Sequence, residues 1–235
     1  MEINGLDALT QLRWIRPAQQ VRSVETRQRL MDSAEELMAE KGFADVPVAE
    51  IARRAGFSVG AVYARFRDKA GILRCLRERF WDEVRATVDA ALTPARWEGA
   101  TLPEVAHETI AFMVRVHRDR IGILREIMGS AHADPEVGAR LEEMIAYVCQ
   151  KLTRLLLARA DEIGHPEPAL AVQFGFRLLL GVMKEAILFG YAGTHGVPNS
   201  DERLTEELTR AFLGYLGAPV AREIPARGRR PEPIT

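Results

Sequence analysis

Val48-Ala-Glu-Ile-Ala-Arg-Arg-Ala-Gly-Phe-Ser-Val-Gly-Ala-Val-Tyr-Ala-Arg-Phe-Arg-Asp-Lys69 is a stretch in which two short helices meet at a glycine. Val48, Ile51, Ala52 and Ala55 stand at the i, i+3, i+4, i+7 spacing of one buried helical stripe. Gly56 ends that helix. Ser58 has the hydroxyl to accept from the free amides of the next turn, as an N-cap does, and Val62 and Phe66, four apart, form the inner face of the second helix. Its other face holds Val59, Gly60, Ala61, Tyr63 and Arg65. Gly60 and Ala61 leave room for a close approach, while Tyr63, Arg65 and Lys69 supply donors for phosphates or base edges. A bracing helix followed by a reading helix is the division of labour of a helix-turn-helix, whose second member enters the major groove of DNA.

The same residues resemble the DNA-binding domain of TetR/AcrR-type transcriptional regulators. The resemblance runs from Thr26 to Leu76, about a quarter of the chain. It consists of a long helix closed by Gly42-Phe43, followed in order by Val48, Ile51, Ala52, Ala55, Gly56, Ser58, Gly60, Tyr63, Phe66, Lys69 and Leu73. Three positions depart from the family's pattern. Pro47 stands where a capping threonine is common, and it fixes φ but cannot cap. Val59 replaces a polar or basic residue and offers only apolar contact, for instance to a thymine methyl. Ala70 and Gly71 replace an early acidic residue of the fourth helix, Gly71 loosening that turn by up to about 1 kcal/mol relative to alanine.

Composition permits this reading without requiring it. The chain has 235 residues, 47% of them apolar, and a net charge of −1. An even charge balance argues against a nucleic-acid partner unless cations are gathered locally. Between Pro47 and Arg79 eight Lys/Arg (Arg53, Arg54, Arg65, Arg67, Lys69, Arg74, Arg77, Arg79) face three acids (Glu50, Asp68, Glu78), and a local cationic face is what neutralises phosphates. Cys75 and Cys149 lie far apart and beside apolar stripes, as reduced thiols do, with a redox pair as the other reading. No apolar run approaches the roughly 18 residues of a membrane span, and the N-terminus lacks a secretory pattern. A cytoplasmic protein is expected.

Along the chain, residues 1–23 read as a flexible arm or tail carrying Arg13, Arg16 and Arg22, a helix-turn-helix DNA-binding domain occupies 24–70, an effector-binding and dimerisation domain 71–218, and a disordered Pro- and Arg-containing tail 219–235. The first helix is predicted from Thr26 to Lys41. A fourth, capped by Asp68, carries Ile72, Leu73, Leu76, Phe80, Val84 and Val88 as far as Leu92. Thr101-Leu-Pro-Glu104 is a capping box; a short helix follows over 120–128, and Asp134-Pro135-Glu136 opens another that Gly164 and Pro166 close. Pro168 to Tyr191 is apolar nearly all round, and Ser200 caps the last helix. Strand signals are absent. The fold class is therefore all-α, about nine helices, with an N-terminal three-helix reader joined by a long helix to a helical second domain.

The Pro168–Tyr191 helix has more apolar surface than one neighbour can cover, and a second copy of the chain is its natural partner. The resemblance implies a homodimer built from the last two long helices as a four-helix bundle. Ala171, Gly175, Leu178, Val182, Leu208 and Phe212 are the candidate dimer residues. Phe112, Met113, Val116, His117, Leu124, Met128, Phe174 and Arg177 are candidates for an effector pocket, although the same residues also serve as core. Arg177 or Lys184 would hold an acidic effector, or else pair with an acid such as Glu126. His107, His117 and His132 match no metal-ligand spacing, so no cofactor or metal is expected.

For the DNA surface the resemblance implies, position by position, Tyr63 and Lys69 on phosphates, Ser58 with Thr26 or Arg27 fixing register, and Val59, Gly60, Ala61 and Arg65 near base edges. Gly56-Phe57-Ser58-Val59-Gly60 also matches the G-x-S-x-G of a nucleophile elbow, but the elbow needs a strand before its serine and a sheet for its partners. No enzyme is expected. The function implied is a DNA-binding transcriptional regulator, a repressor released from a palindromic operator by a small-molecule effector. The alternative is a regulator with a filled core that answers to no small molecule or recruits a protein.

Overall fold

In a computed structural model, residues 21–190 and 196–218 are described; the expected N-terminal arm and C-terminal tail fall almost wholly outside them. Among the described residues there are nine α-helices and no strand. They are α1 (Val21–Lys41), α2 (Val48–Ala55), α3 (Val59–Tyr63), α4 (Lys69–Ala91), α5 (Leu102–Asp119), α6 (Ile121–Ser130), α7 (Pro135–Leu157), α8 (Pro168–Met183) and α9 (Asp201–Leu216), with short 3₁₀ turns at Pro94–Trp97 and Ala160–Glu162. No helix of the described residues is long and apolar enough to cross a membrane.

The described residues form two compact units, 21–84 with 122–138, and 85–121 with the described residues from 139 to 218. In the first, α1 supplies Leu30, Met31, Ala34, Leu37 and Met38 to a core completed by Ile51, Ala52, Val62, Phe66, Ile72 and Leu76. Gly42, at φ 79°, ends α1, and its amide donates to Met38 O at 2.9 Å, the left-handed closure that glycine adopts without steric cost. Helix α6 belongs to this unit although it is distant in sequence. A Cβ on Gly122 would stand 2.8 Å from the backbone of Ala39, so α6 meets the end of α1 at a distance only glycine permits. Arg77 binds Glu126 through two nitrogens, and Ser130 Oγ donates to the same carboxylate at 2.7 Å. Arg79 pairs with Asp32 and Glu35.

The second unit packs α5, α8 and α9 around Ile110, Val114, Phe176, Leu179, Leu208 and Phe212. Thr101 and Glu104 form the reciprocal capping box expected of them. Ser200 caps α9 by accepting from Arg203 N. Three boundaries differ from the sequence expectation. Helix α1 begins at Val21 rather than Thr26, so its first turn takes in the last residues of the expected arm. Helix α7 ends at Leu157 rather than near Gly164, because Arg159 turns its guanidinium onto the carbonyls of Leu155, Ala100 and Trp97 and the backbone leaves the helix there. Helix α8 gives way after Met183 to a π turn over Lys184–Leu188, in which Phe189 N reaches back five residues to Lys184 O. Gly190, at φ 77°, then turns the chain.

Candidate nucleic-acid interface

Helix α2 starts without a side-chain cap, since Pro47 stands at its N-cap and only its carbonyl helps, accepting from Glu50 N and Ile51 N. Its end is better held. Gly56 takes φ 78°, with Gly56 N donating to Arg53 O and Phe57 N to Ala52 O, a closure in which the turn replaces the missing helical bonds. Arg29 of α1 braces the turn by donating to Ala55 O at 3.0 Å while its guanidinium lies 5.0 Å from the centre of the Phe57 ring. Ser58 Oγ accepts from Ala61 N at 3.2 Å, the N-cap its position in the sequence indicated.

Between these anchors α3 has only five residues, and its inward side chain, Val62, is buried together with Phe66 beyond it. Its outward face holds Val59 at 40% and Tyr63 at 44% exposure, with Ser58, Gly60 and Ala64 also exposed and Ala61 half-buried. Gly60 is informative because nothing in the fold requires it. Its φ is not left-handed, and a Cβ there would meet only Ser58 Oγ at an ordinary 3.7 Å. A glycine without an internal cause, centred on an exposed helix, fits a surface that something approaches closely.

The cations sort into two kinds. Arg54 pairs with Glu40 and Glu36, Arg74 with Asp68, Arg77 with Glu126, and Arg79 with Asp32 and Glu35. These four arginines hold the unit together, so the local excess of positive charge counted along the sequence is only partly a surface property. Arg65 donates to Ala61 O at 3.0 Å. Lys69 Nζ donates to Ala44 O at 2.8 Å and lies 4.9 Å from the Phe43 ring centre, which leaves two of its three N–H groups for an anion. Arg67, counted among the eight local cations but not among the expected DNA contacts, is exposed. Its only sequence signal was a cation two places before Lys69.

Arg27 corrects the expectation for the start of the surface. It is 1% exposed, a core residue of α1. Burial draws its guanidinium below the ordinary arginine pKa, Cys75 opposing and Arg65 adding to the effect. It cannot reach a phosphate from there, whereas Thr26 one residue earlier is half-buried.

The other expected sites separate as well. Of the six dimer candidates only Leu178 and Val182 are exposed; Ala171, Gly175, Leu208 and Phe212 are interior. Gly175 makes room for Phe212, whose ring carbons would stand 2.7 and 2.8 Å from a Cβ, so its close approach is within one chain. The exposed column of α8 is instead Leu170, Phe174, Leu178 and Val182, continued by Phe189, each 40–55% exposed. Phe174 thus belongs to this column, against Tyr215. Arg177 is exposed and pairs with Glu142 rather than Glu126. His117 is buried, its Nδ1–H on Met113 O at 2.8 Å, and burial lowers its pKa. Leu124 and Met128 lie in the first unit, the remaining pocket candidates in the second. Phe112 borders a groove in the second unit. Among the described residues no group of His, Cys, Asp or Glu is placed to hold a metal.

Comparison with known proteins adds to this geometry. Residues 30–76 match the family model "Bacterial regulatory proteins, tetR family", and residues 101–216 match "Tetracyclin repressor-like, C-terminal domain". The HTH-type transcriptional regulator SrpR of Pseudomonas putida is 42% identical over 52 residues, 22% of this chain and 24% of that protein. The HTH-type transcriptional regulator BetI of Escherichia coli is 39% identical over 62 residues, 26% of this chain and 32% of that protein. The chain therefore spans about a quarter to a third of the length of these relatives. A tetR-family regulator from Mesorhizobium loti superposes with a TM-score of 0.65 at 21% identity, covering 83% of this chain and 98% of that one. A regulatory protein of the same family from Rhodococcus RHA1 gives 0.63 at 18% identity, covering 83% and 99%. At these identities the two structures speak to the fold.

Proposed function

Since the chain belongs to the tetR family of bacterial regulatory proteins, we propose that it is a sequence-specific DNA-binding transcriptional regulator of the cytoplasm, a homodimeric repressor that an effector releases from a palindromic operator. The observation that carries this reading is the face of α3, a short exposed helix with a glycine the fold does not need, seated on a unit cross-braced by ion pairs. On it Tyr63, Lys69 and Arg67 take phosphates, Ser58 and Thr26 fix register, and Val59, Gly60, Ala61 and Arg65 meet base edges.

The exposed column of α8 supports the dimer. Five large apolar side chains in a row are the kind of patch that a partner covers, and a twofold pair presents one self-complementary surface. Such a dimer sets two readers on successive major-groove faces, about 34–36 Å apart. Release then follows as a population shift: a ligand that binds the second unit better when the readers are out of groove spacing weakens DNA binding by a coupling of about 1–3 kcal/mol. Helix α6, contiguous in sequence with α5 yet packed on α1 through Gly122, is the element we assign to transmit it.

The test is a footprint of the purified protein on DNA flanking its own gene. Protection of an inverted repeat whose half-sites are one helical turn apart is expected, and a protein that protects no repeat refutes the reading.

A further inference from the structure

Arg29 stands apart from the arginines that cross-brace the first unit. Arg54, Arg74, Arg77 and Arg79 each have a carboxylate, whereas Arg29 on α1 pairs with none among the described residues. Two acids lie within a helical turn of it, and neither engages it. Asp32, three residues on, is taken by Arg79 and Gln28, and Glu25, four residues back, is exposed with no ion pair among the described residues.

Arg29 turns instead to neutral groups. Its Nη2 donates to Ala55 O at 3.0 Å, its guanidinium lies 5.0 Å from the Phe57 ring centre, and the same Nη2 would stand 3.5 Å from a Cβ on Gly56. Three successive residues at the end of α2 thus locate the guanidinium, although Arg29 as a whole is exposed. A carbonyl bond uses one of five N–H donors and neutralises no charge, so four donors and the full positive charge remain. A long side chain ordinarily loses rotamer freedom when it grips a ligand, and one already fixed at a carbonyl and a ring has lost part of it beforehand.

The turn decides what the remaining donors meet. It leads directly into Ser58 and Val59, the exposed start of α3. Ser58 Oγ accepts from Ala61 N and keeps its own proton to donate. With α3 in the major groove, a donor that reaches the turn from α1 lies beside the groove, where the strand presents phosphate oxygens. A planar fork takes two such oxygens at once.

We propose that Arg29 is a DNA-backbone contact that also sets the α2–α3 turn, one N–H staying on Ala55 O while the others bind a phosphate beside the start of the reading helix. This contact rests on the function proposed above. The test measures the salt dependence of operator binding by fluorescence anisotropy with the full chain. Arg29→Gln is expected to bind several-fold more weakly and to reduce the slope of log K against log salt by about 0.9, the loss of one phosphate contact. Arg29→Lys keeps the charge and is expected to restore the slope but only part of the affinity, because an ammonium lacks the fork that holds carbonyl and phosphate together. Arg154→Gln removes an exposed guanidinium of α7, unpaired among the described residues, and is expected to leave the slope unchanged.

A scan of neutral methylphosphonates through one half-site gives a readout that a mere brace would not move. One phosphate is expected at which the substitution weakens the native chain and leaves Arg29→Gln unaffected. Where Arg29→Gln does not melt cooperatively, Arg29→Met, which keeps an apolar stem against Phe57, decides by the same two readouts. An unchanged slope, an equal fall in Arg154→Gln, or a scan without such a phosphate overturns the contact, and lower affinity at an unaltered slope assigns Arg29 to the turn alone. A native chain that binds no inverted repeat removes the regulator and this contact together. A native chain that binds one with the slope of Arg29→Gln removes the contact and leaves the regulator standing.

Discussion

On α3 the exposed apolar side chains, Val59 and Tyr63, are separated by a glycine and an alanine and neighboured by Arg65, Arg67 and Lys69, whereas on α8 Leu170, Phe174, Leu178 and Val182 follow one another every fourth residue with little charge between them. Both surfaces leave large hydrophobes in water, yet they suit opposite partners. The first offers small residues and cations to a polyanion with methyl groups in its groove. The second offers a continuous ridge, which finds its complement in another ridge. Exposure alone therefore does not say what a surface binds; the spacing of the charges around it does.

The widest test of this contrast places a charge on the ridge. Leu178→Glu puts a carboxylate at a half-exposed position, so the chain is expected to keep its helix content while sedimenting as a monomer. Binding two half-sites together exceeds binding one by roughly 10²- to 10⁴-fold, and operator affinity in a gel shift should fall by about that factor. A dimer that survives the change shows that the ridge covers something else.

The two glycines of α8 sharpen the contrast within one helix. Gly175→Ala drives a Cβ into the Phe212 ring and is expected to cost about 1–3 kcal/mol of stability, seen as a lowered thermal midpoint. Gly181, exposed and with nothing within 4 Å of an added Cβ, should gain up to about 1 kcal/mol from alanine. Similar losses at both positions would mean that Gly181 is covered as closely as Gly175.

On the reader the expected effects divide by kind. Arg65→Ala should cost about 1–3 kcal/mol and relax discrimination at one base step. Arg67→Ala and Lys69→Ala should weaken all sequences alike and flatten the salt dependence by about one unit each. Titrations on operator variants in which Arg65→Ala behaves as a uniform loss would reverse these assignments.

The sequence was most legible where structure is set locally. Gly56, Ser58 and the Thr101–Glu104 box each act on backbone groups within five residues, and each stands as expected. It was least legible where burial depends on partners far along the chain. Helix α8 is apolar nearly all round, so periodicity could not tell Gly175, turned to Phe212, from Leu178, turned to solvent. Arg27 looked like a surface cation because charge normally avoids the interior. The ion pairs that consume Arg77 and Arg79 join residues 49 and 44 positions apart, and no local pattern records them.

The smallest expected effect separates the interior of the second unit from both surfaces. His117 is buried with its Nδ1–H on Met113 O, and loss of water around the ring lowers its pKa from the ordinary 6.5, the carbonyl bond opposing only in part. Below 6.5 the unfolded chain gains a proton that the folded chain resists, so the unfolded state binds more protons and is favoured as the pH falls. The stability that His117 contributes as a neutral ring is thus complete above pH 6.5 and is lost progressively as the pH drops through that value toward the lower folded pKa. Thermal midpoints of the native chain and of His117→Gln, compared from pH 7.5 down to 5, should converge at the acid end, because glutamine carries no proton to resist. Parallel curves would mean that the ring reaches water, and that the interior is as open on this side as the faces of α3 and α8.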